Sequence, residues 1–290
     1  MFFMIRLAEH WKDYKVLQTG DGYKLERWGE VTLLRPDPQV IWKGGDLFSR
    51  PYDAVYRRSE KGGGAWEYKK SLPESWNITY RDLTFKVKPM GFKHTGLFPE
   101  QAVNWDLTRS LIEARVKRGG SVKVLNLFAY TGGASVSCAK AGAEVTHVDA
   151  AKGMVERAGE NARLSGIESG IRYIVDDCMK FVRRELRRGN KYEAIIMDPP
   201  SYGRGPGGEL WKIEEGLFPF VELCAELLSD EPLFFLINSY TTGLQPTVLN
   251  NILRLALKKR KGDYDAYEVG LPTGEGIALP CGAGGIYING

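Results

Sequence analysis

Histidine is scarce in this sequence of 290 residues, and cysteine is sparse and scattered. Only three histidines and four cysteines occur. The cysteines have neither the Cys-x-x-Cys spacing of zinc sites nor the pattern of a disulfide framework; they are Cys138, Cys178, Cys224 and Cys281. We therefore expect no bound metal, and a reducing compartment is the simpler interpretation.

Long apolar runs and a strong charge of one sign are also absent. No segment reaches the roughly 20 apolar residues that span a bilayer. The apolar start, Met1–Ile5, is shorter than the core of a secretory signal. We expect a cytoplasmic protein that does not contact a membrane. Forty basic and 36 acidic residues leave a net charge of +4, which permits a nucleic-acid partner without requiring one.

What the chain does contain is enough apolar material for a sizeable core. Hydrophobic residues make up 43%, which excludes global disorder. The pattern changes near residue 90. Before it lie five of the seven tryptophans, and short β-branched or aromatic runs such as 31–34 and 84–87 alternate with turn residues. This pattern predicts a small, mainly-β domain over residues 1–88.

After residue 90, strand and helix patterns alternate. We predict seven strands, at 121–128, 144–149, 171–176, 192–198, 232–238, 264–270 and 284–289. Five helices are predicted between them, at 134–142, 152–165, 178–188, 214–228 and 246–260. Repeated βα units imply an α/β domain over residues 89–290 with a mostly parallel, Rossmann-like sheet of seven strands. Loops at the carboxyl ends of such strands form the binding crevice.

A glycine turn follows the first of these strands, in the stretch Val124–Ala134. Gly132 and Gly133 let the backbone approach a ligand closely and then turn into a helix. The stretch lacks the fuller Gly-x-Gly-x-x-Gly pattern of nucleotide phosphate sites. An ordinary βα turn that binds nothing is the alternative.

Acidic residues end the next two strands. Asp149 comes 17 residues after Gly132, close to the distance at which an acid meets a ribose in doubly wound folds. A carboxylate at the end of the third strand can accept from an adenine amino group. We favour Asp177 for this role over Asp176, which could equally cap the following helix.

The segment Asp198-Pro199-Pro200-Ser201-Tyr202 follows the strand that ends at Met197. The Asp198 carboxylate and the Pro199 carbonyl can both accept hydrogen bonds from an exocyclic amine, and proline stiffens the loop that carries them. Tyr202 offers a face on which a flipped base could stack. The alternative is an ordinary turn with a packed tyrosine.

In order and spacing these motifs resemble the cofactor and catalytic loops of class I S-adenosylmethionine (SAM) methyltransferases. The segment Gly91–Trp105 is similar to the Thr-Gly-aromatic-x-x-Gln segment of the large-subunit ribosomal RNA methyltransferase family, which includes cytosine-5 enzymes. The resemblance covers roughly residues 89–290 and implies an enzyme that methylates RNA, above all ribosomal RNA. It implies catalytic roles for Asp198, Pro199 and Tyr202. The implied SAM contacts are Phe98, Pro99, Gln101, Asn126, Phe128, Tyr130, Thr131, Gly132, Asp149, Asp177 and Asp198.

The chain departs from those relatives after the fifth strand. Cytosine-5 enzymes place a cysteine there, whose thiolate adds to the base before methyl transfer. This chain has Asn238-Ser239-Tyr240-Thr241 instead. Cys281 is the remaining thiol in a loop that could face the crevice, and we interpret it as a small buried residue. We therefore expect a nitrogen or oxygen acceptor rather than carbon-5.

Basic and aromatic residues interleave between Arg50 and Arg81, and they are the two components of sequence-tolerant RNA binding. We favour a packed core for the tryptophans; for the cations, an RNA surface and a solvated face both stay open. Other functions also remain open: a methyltransferase for a protein or a small molecule, a non-catalytic RNA-binding protein with a SAM-like fold, or an NAD oxidoreductase. A homodimer is left open as well.

Overall fold

The computed structural model describes residues 5–59, 63–204 and 210–290. The strands in these residues are β1 (Ile5–Leu7), β2 (Tyr14–Gly20), β3 (Tyr23–Trp28), β4 (Val31–Pro36), β5 (Ala54–Arg58), β6 (Gly64–Tyr68), β7 (Trp76–Tyr80), β8 (Leu83–Val87), β9 (Lys123–Leu127), β10 (Glu144–Asp149), β11 (Ile171–Val175), β12 (Ala194–Met197), β13 (Tyr202–Arg204), β14 (Leu210–Lys212), β15 (Phe234–Ser239), β16 (Asp263–Pro272) and β17 (Ala278–Ile288). The α-helices are α1 (Ala102–Lys117), α2 (Gly133–Lys140), α3 (Lys152–Leu164), α4 (Cys178–Arg187), α5 (Ile213–Ala225) and α6 (Pro246–Ala256). Two short 3₁₀ helices lie at Leu47–Ser49 and Pro99–Gln101.

The chain folds into two compact units. The sheet unit comprises the N-terminal residues up to Arg6, then Val103–Val269 and Gly282–Gly290; the small unit comprises Leu7–Ala102 and Gly270–Cys281. Residues 89–102 therefore group with the small unit, whereas the sequence pattern placed them in the larger domain. The reason is local hydrogen bonding, because the Lys88 amide donates to the Thr95 carbonyl at 3.0 Å and the Trp66 indole donates to the Met90 carbonyl at 2.8 Å.

An eight-stranded sheet forms the centre of the sheet unit, in the order β1-β16-β17-β15-β12-β9-β10-β11. The pairs from β15 to β11 are parallel, and β17 runs antiparallel to β15. This confirms the predicted α/β, Rossmann-like fold. The sheet has eight strands rather than the predicted seven, because β1 adds to it beside β16.

Continuous apolar runs explain why the central strands lie where they do. All four residues of β12 are buried, as are the last four of β9. A parallel strand covered on both faces reads as such a run. Helices α4, α5 and α6 pack on one side of the sheet, and α1 and α2 pack on the other. The helices in the described part of the chain are too short or too polar to cross a membrane.

The small unit is mainly β, as predicted. Strands β2 to β6 form a five-stranded sheet, and β7 pairs with β8. Trp28 is fully buried. The indole N–H groups of Trp11 and Trp76 donate to the carbonyls of Pro99 and Trp28, each at 2.8 Å. The predicted core position is thus confirmed for Trp28, whereas Trp11 and Trp76 are half-buried with their indole N–H groups hydrogen-bonded.

Candidate active site

The turn after β9 has an unusual backbone conformation. Phe128 and Tyr130 have φ angles of +55° and +50°, and Gly132 has +83°. Left-handed backbone is uncommon outside glycine and costs about 1–3 kcal/mol per residue where the surroundings impose it. The Ala129 amide anchors the turn by donating to the Val148 carbonyl at 3.1 Å. Strain of this kind concentrates where backbone groups must face a ligand.

The two glycines of the turn are also required by packing. A Cβ on Gly132 would lie 2.7 Å from the Cβ of Ala158, and one on Gly133 would lie 2.6 Å from the Trp105 ring. Helix α2 can begin this close to its neighbours only with glycine at both positions. Glycine thus serves the helix packing, because Ala158 and Trp105 fill the space that a side chain at these two positions would need.

Asp149 ends β10 directly beside this turn. Its Oδ2 accepts from the Tyr130 amide at 2.8 Å, and its Oδ1 accepts from the Ala151 amide at 2.9 Å. Two backbone donors therefore fix the plane of the carboxylate. Each oxygen keeps a further lone pair, so the group can still accept from a pair of vicinal hydroxyls such as those of a ribose.

The two acids after β11 have different roles. Oδ1 of Asp177 accepts from the Lys180 amide at 2.8 Å, so Asp177 is the N-cap of α4, the role we had considered for Asp176. Asp176 pairs with Arg184 and accepts from the Asp177 amide at 2.8 Å. The carboxylate of Asp177 keeps further lone pairs, so the cap is compatible with the predicted adenine contact, which stays a prediction.

Buried polar side chains next to the turn are connected by hydrogen bonds. The Asn126 amide donates to Ser135 Oγ at 2.8 Å, and Ser135 Oγ lies 3.0 Å from His147 Nδ1. Burial lowers the pKa of His147 to about 4, so the ring is neutral at pH 7. The Asn161 amide donates to the Thr131 carbonyl at 2.9 Å. Asn126, a predicted SAM contact, is thus only 4% exposed and holds α2; the sequence analysis missed Ser135 and His147.

The loop after β12 is held at its proline pair. The Asp198 amide donates to the Leu127 carbonyl of the neighbouring strand at 3.4 Å. The Trp211 indole donates to the Pro200 carbonyl at 2.6 Å. Pro199 is buried, and no described residue donates to its carbonyl. Asp198 and the Pro199 carbonyl are therefore preorganised acceptors at the carboxyl end of β12.

The same loop continues into the hairpin formed by β13 and β14. The Ser201 carbonyl accepts from the Ile213 amide at 3.1 Å, and Ser201 Oγ lies 2.6 Å from Thr241 Oγ1. Tyr202 follows with 56% of its surface exposed. This exposure shows that Tyr202 is not packed in the core, and its stacking on a base stays a prediction.

Trp211 connects the loop to the glycine turn, and the sequence analysis missed it. Its ring centroid lies 5.9 Å from that of Phe128 and 6.0 Å from that of Phe220. Phe128, a predicted cofactor contact, is therefore half-buried against aromatic neighbours. A tryptophan a few residues after the loop was the available signal, because its N–H must find an acceptor when the ring is packed.

The polar side chains at the end of β15 form hydrogen bonds within the protein. Ser239 is buried, and its Oγ accepts from the Thr241 amide at 3.2 Å. The Asn104 amide donates to Asn238 Oδ1 at 2.8 Å, and the Tyr267 hydroxyl donates to Asn104 Oδ1 at 2.5 Å.

The four thiols are poor candidates for a nucleophile. Cys138, Cys178 and Cys224 are buried, and Cys281, in the small unit, is half-buried. Burial raises the pKa of each of them, and a thiolate is the reactive form. Within the described ranges, no three His, Cys, Asp or Glu residues cluster as metal ligands would.

The segment with the predicted contacts Phe98, Pro99 and Gln101 lies in the small unit. Pro99 and Gln101 are buried in a 3₁₀ turn, where the Pro99 carbonyl accepts the Trp11 indole. Arg35 Nη1 donates to the Lys93 carbonyl at 2.8 Å, just ahead of this turn. The small unit thus fixes the backbone of the segment, and its contact with SAM stays a prediction.

Arg35 belongs to a buried charge cluster in the small unit. Its Nε and Nη2 donate to Glu26 Oε2 and Oε1 at 2.6 and 2.9 Å, and the Tyr14 hydroxyl donates to Glu26 Oε1 at 2.5 Å. Lys24 Nζ lies 3.5 Å from the same carboxylate. Burial would raise the pKa of Glu26, but the charges of Arg35 and Lys24 outweigh it and lower the pKa to about 2.

Four features together define a class of enzyme. They are the strand order, the strained glycine turn, the acid at the end of β10 and the stiff acceptor loop after β12. They are the features of a Rossmann-like α/β enzyme that binds an adenosyl cofactor at the carboxyl edge of its sheet. The sequence profile of a family described as S-adenosylmethionine-dependent methyltransferase matches residues 49–209, more than half of the chain. The chain belongs to this family of SAM-dependent methyltransferases.

Solved structures agree with this assignment. The SAM-dependent methyltransferase from Agrobacterium tumefaciens is 32% identical, with a TM-score of 0.90 over 100% of this chain and 99% of that one. The protein SMU.776, solved in complex with SAH, matches at a TM-score of 0.74 over 97% of this chain and 76% of that one. At 18% identity, the second likeness shows the fold alone.

Curated relatives are named as ribosomal RNA methyltransferases. Ribosomal RNA large subunit methyltransferase K/L of Shewanella frigidimarina is 34% identical over 177 residues, which cover 59% of this chain and 24% of that protein. Ribosomal RNA large subunit methyltransferase I of Salmonella arizonae is 28% identical over 233 residues, 68% of this chain and 55% of that protein. The chain thus spans from about a quarter to about half of the length of these relatives.

The cofactor is SAM, and the turn fits it. No phosphate site is needed, because SAM carries no phosphate. The oriented carboxylate of Asp149 can accept from the ribose hydroxyls, and this contact stays a prediction.

An Asp149→Ala variant is therefore expected to bind SAM more weakly by about 1–3 kcal/mol, because buried polar partners are left unpaired. Calorimetry with SAM measures this. Glu144→Ala is the matched control, since Glu144 is an exposed acid at the other end of the same strand. Equal SAM affinity of parent and Asp149→Ala, or tight NAD binding by the parent, would contradict the assignment.

Proposed function

We propose that this methyltransferase modifies RNA, with ribosomal RNA as the foremost substrate, at a nitrogen or oxygen atom. The single observation that carries the proposal is the acceptor pair of Asp198 and the Pro199 carbonyl, held rigid beside the exposed ring of Tyr202. The names of the curated relatives support RNA as the substrate class.

Each residue of the loop has a task in this proposal. Asp198 and the Pro199 carbonyl accept the N–H groups of an exocyclic amine, which turns the nitrogen lone pair toward the methyl donor. The ring of Tyr202 stacks on the base once it leaves its helix. Bound SAM supplies a methyl group on a sulfonium, ready for transfer to a nucleophile.

Carbon-5 methylation fits the site less well. It requires a thiolate that adds to the ring. Ser239 ends β15 and Thr241 follows it, where the cytosine-5 relatives have cysteine, and burial raises the pKa of the Cys281 thiol. An amine or hydroxyl acceptor needs only positioning and proton removal, which the Asp198 loop can provide.

The test is nucleoside mass spectrometry of ribosomal RNA from a strain that lacks the gene. We expect one nitrogen- or oxygen-methylated nucleoside to disappear and to be restored by the purified enzyme with SAM. Complementation with the parent gene is the control. A missing 5-methylcytidine would refute the choice of acceptor atom, and an unchanged nucleoside profile would refute ribosomal RNA as the substrate.

Three further predictions accompany this function. We propose that Phe98, Pro99 and Gln101 contact SAM, and that the enzyme works in the cytoplasm, where ribosomal RNA is found. A homodimer stays a prediction without a contact to support it.

A further inference from the structure

Helix α4 and the turn after it carry a concentrated positive charge. Between Cys178 and Lys191 the chain has six cations and one acid, a net charge of +5, whereas the whole chain carries +4. The rest of the protein is therefore slightly acidic. We call the six cations the α4 basic face; they are Lys180, Arg183, Arg184, Arg187, Arg188 and Lys191.

The apolar side of α4 packs against the hydrophobic core. Phe181 and Val182 are buried against the sheet. Arg183 and Arg187, four residues apart on the opposite side, are exposed, and among the described residues they have no ion-pair or hydrogen-bond partner. They are about 6 Å apart along the helix axis. Two like charges at this spacing repel each other, so they do not serve the stability of the helix.

Their neighbours behave differently. Arg184 pairs with Asp176, and Arg188 pairs with buried Glu185 at 3.0 Å. Cations in the last turn also complement the helix dipole, which gives Arg187 a local role. Arg183 lies before that turn, so neither ion pairing nor the dipole accounts for it. The positive charge of Arg183 therefore has no structural role and faces solvent.

We propose that the α4 basic face binds the phosphate backbone of the RNA substrate, a proposal that rests on the proposed function. Four of its six members are arginines, whose planar guanidinium groups bind phosphate oxygens in pairs. A membrane surface is a poorer partner, because α4 exposes no large apolar side chain that could insert into lipid.

The position of α4 determines how long the bound RNA must be. The helix begins directly after Asp177, at the carboxyl edge of the sheet, where Asp149 and Asp198 also lie. From there α4 runs back toward the amino edge, where Gly189 and Lys191 line a surface with Lys123 and Glu144 at the starts of β9 and β10. An RNA that reaches the basic face must therefore extend beyond the nucleotide held at the Asp198 loop. Phosphate contacts there fix the register of the RNA without reading its sequence.

The test compares the double variant Arg183→Gln/Arg187→Gln with a matched pair. Both arginines are exposed, so the fold should not change. The control is Lys258→Gln/Lys259→Gln, which removes two exposed cations from the segment after α6. Fluorescence anisotropy measures binding of a labelled ribosomal RNA fragment over a series of salt concentrations, and calorimetry measures SAM binding.

For the α4 variant we expect the slope of log K against log salt to become shallower by about 2, one unit for each lost phosphate contact. The KM for RNA should rise while kcat and SAM affinity stay at the parent values. The control pair should keep the parent slope.

Two results would overturn the proposal, and they differ from each other. If the parent methylates RNA and the α4 variant keeps the parent slope, or the control loses as much, the basic face has no role and the proposed function stands. If the parent binds neither rRNA nor any other RNA, but binds an acidic peptide or anionic vesicles, the proposed function fails as well.

Discussion

An Asp198→Ala variant is expected to methylate at roughly one hundredth of the parent rate or less, since misplacing a reactant by about 1 Å can cost a hundredfold. The carboxylate stands at the end of β12 in a loop that the Pro200–Trp211 hydrogen bond holds in place. Its removal leaves the acceptor amine without one of two oriented partners. SAM affinity should change little if the acceptor is the main partner of the carboxylate.

Asp198→Asn sharpens this test, because it keeps one acceptor oxygen and should lose less activity than Asp198→Ala. Single-turnover rates and calorimetry with SAM separate chemistry from cofactor binding. Asp230→Ala is the control, an exposed acid in the loop that precedes β15. A parent-like rate for a folded Asp198→Ala variant would rule out this loop as the catalytic one, whereas lost SAM affinity would make Asp198 a cofactor contact instead.

A Glu26→Gln variant should destabilise the small unit by about 3–5 kcal/mol, the usual consequence of leaving a buried charge without its partner. Arg35 would keep its charge without the carboxylate that accepts its hydrogen bonds, and Tyr14 would lose its charged acceptor. Urea unfolding followed by tryptophan fluorescence measures the change. Five of the seven tryptophans precede residue 90 and so report mainly on this unit.

The same sheet offers a matched control. Glu67 pairs with Arg57 at 3.2 Å, but both side chains are about half exposed, so Glu67→Gln should cost less than about 1 kcal/mol. The pKa of Glu26 is lowered to about 2, so its contribution to stability is present above the ordinary glutamate range and is lost as the pH falls toward 2. Equal unfolding midpoints for the two variants would show that the cluster is not coupled to stability.

The central sheet could be predicted from the sequence because the signals for its strands are local. Strand β12 is a short apolar run and β9 is mostly apolar, and the order of such strands along the chain, with helices between them, dictates parallel pairing. The placement of Asp149 and Asp198 follows from the same logic, since each comes directly after such a run. These positions needed no knowledge of distant contacts.

Other features depend on partners far away in the chain. Helix α1 was not predicted, because polar Asn104 and Thr108 interrupt its apolar face. Both are buried, and Asn104 is satisfied by Asn238 and Tyr267, more than 130 residues away. The role of Trp211 likewise depends on a carbonyl across a turn. The Glu26–Arg35 pair gave no signal at all, because charged residues in a strand ordinarily face water.

The eighth strand of the sheet affects how the two units can be separated. Strand β1 precedes the small unit in the chain, yet it pairs with β16 in the sheet unit. A fragment that begins at residue 89 therefore lacks β1 and leaves the edge of β16 open, which is a template for aggregation. Expression of the sheet unit alone requires two changes, a direct connection of the first strand to α1 and a replacement of Gly270–Cys281, as in removing an inserted domain rather than trimming a terminus.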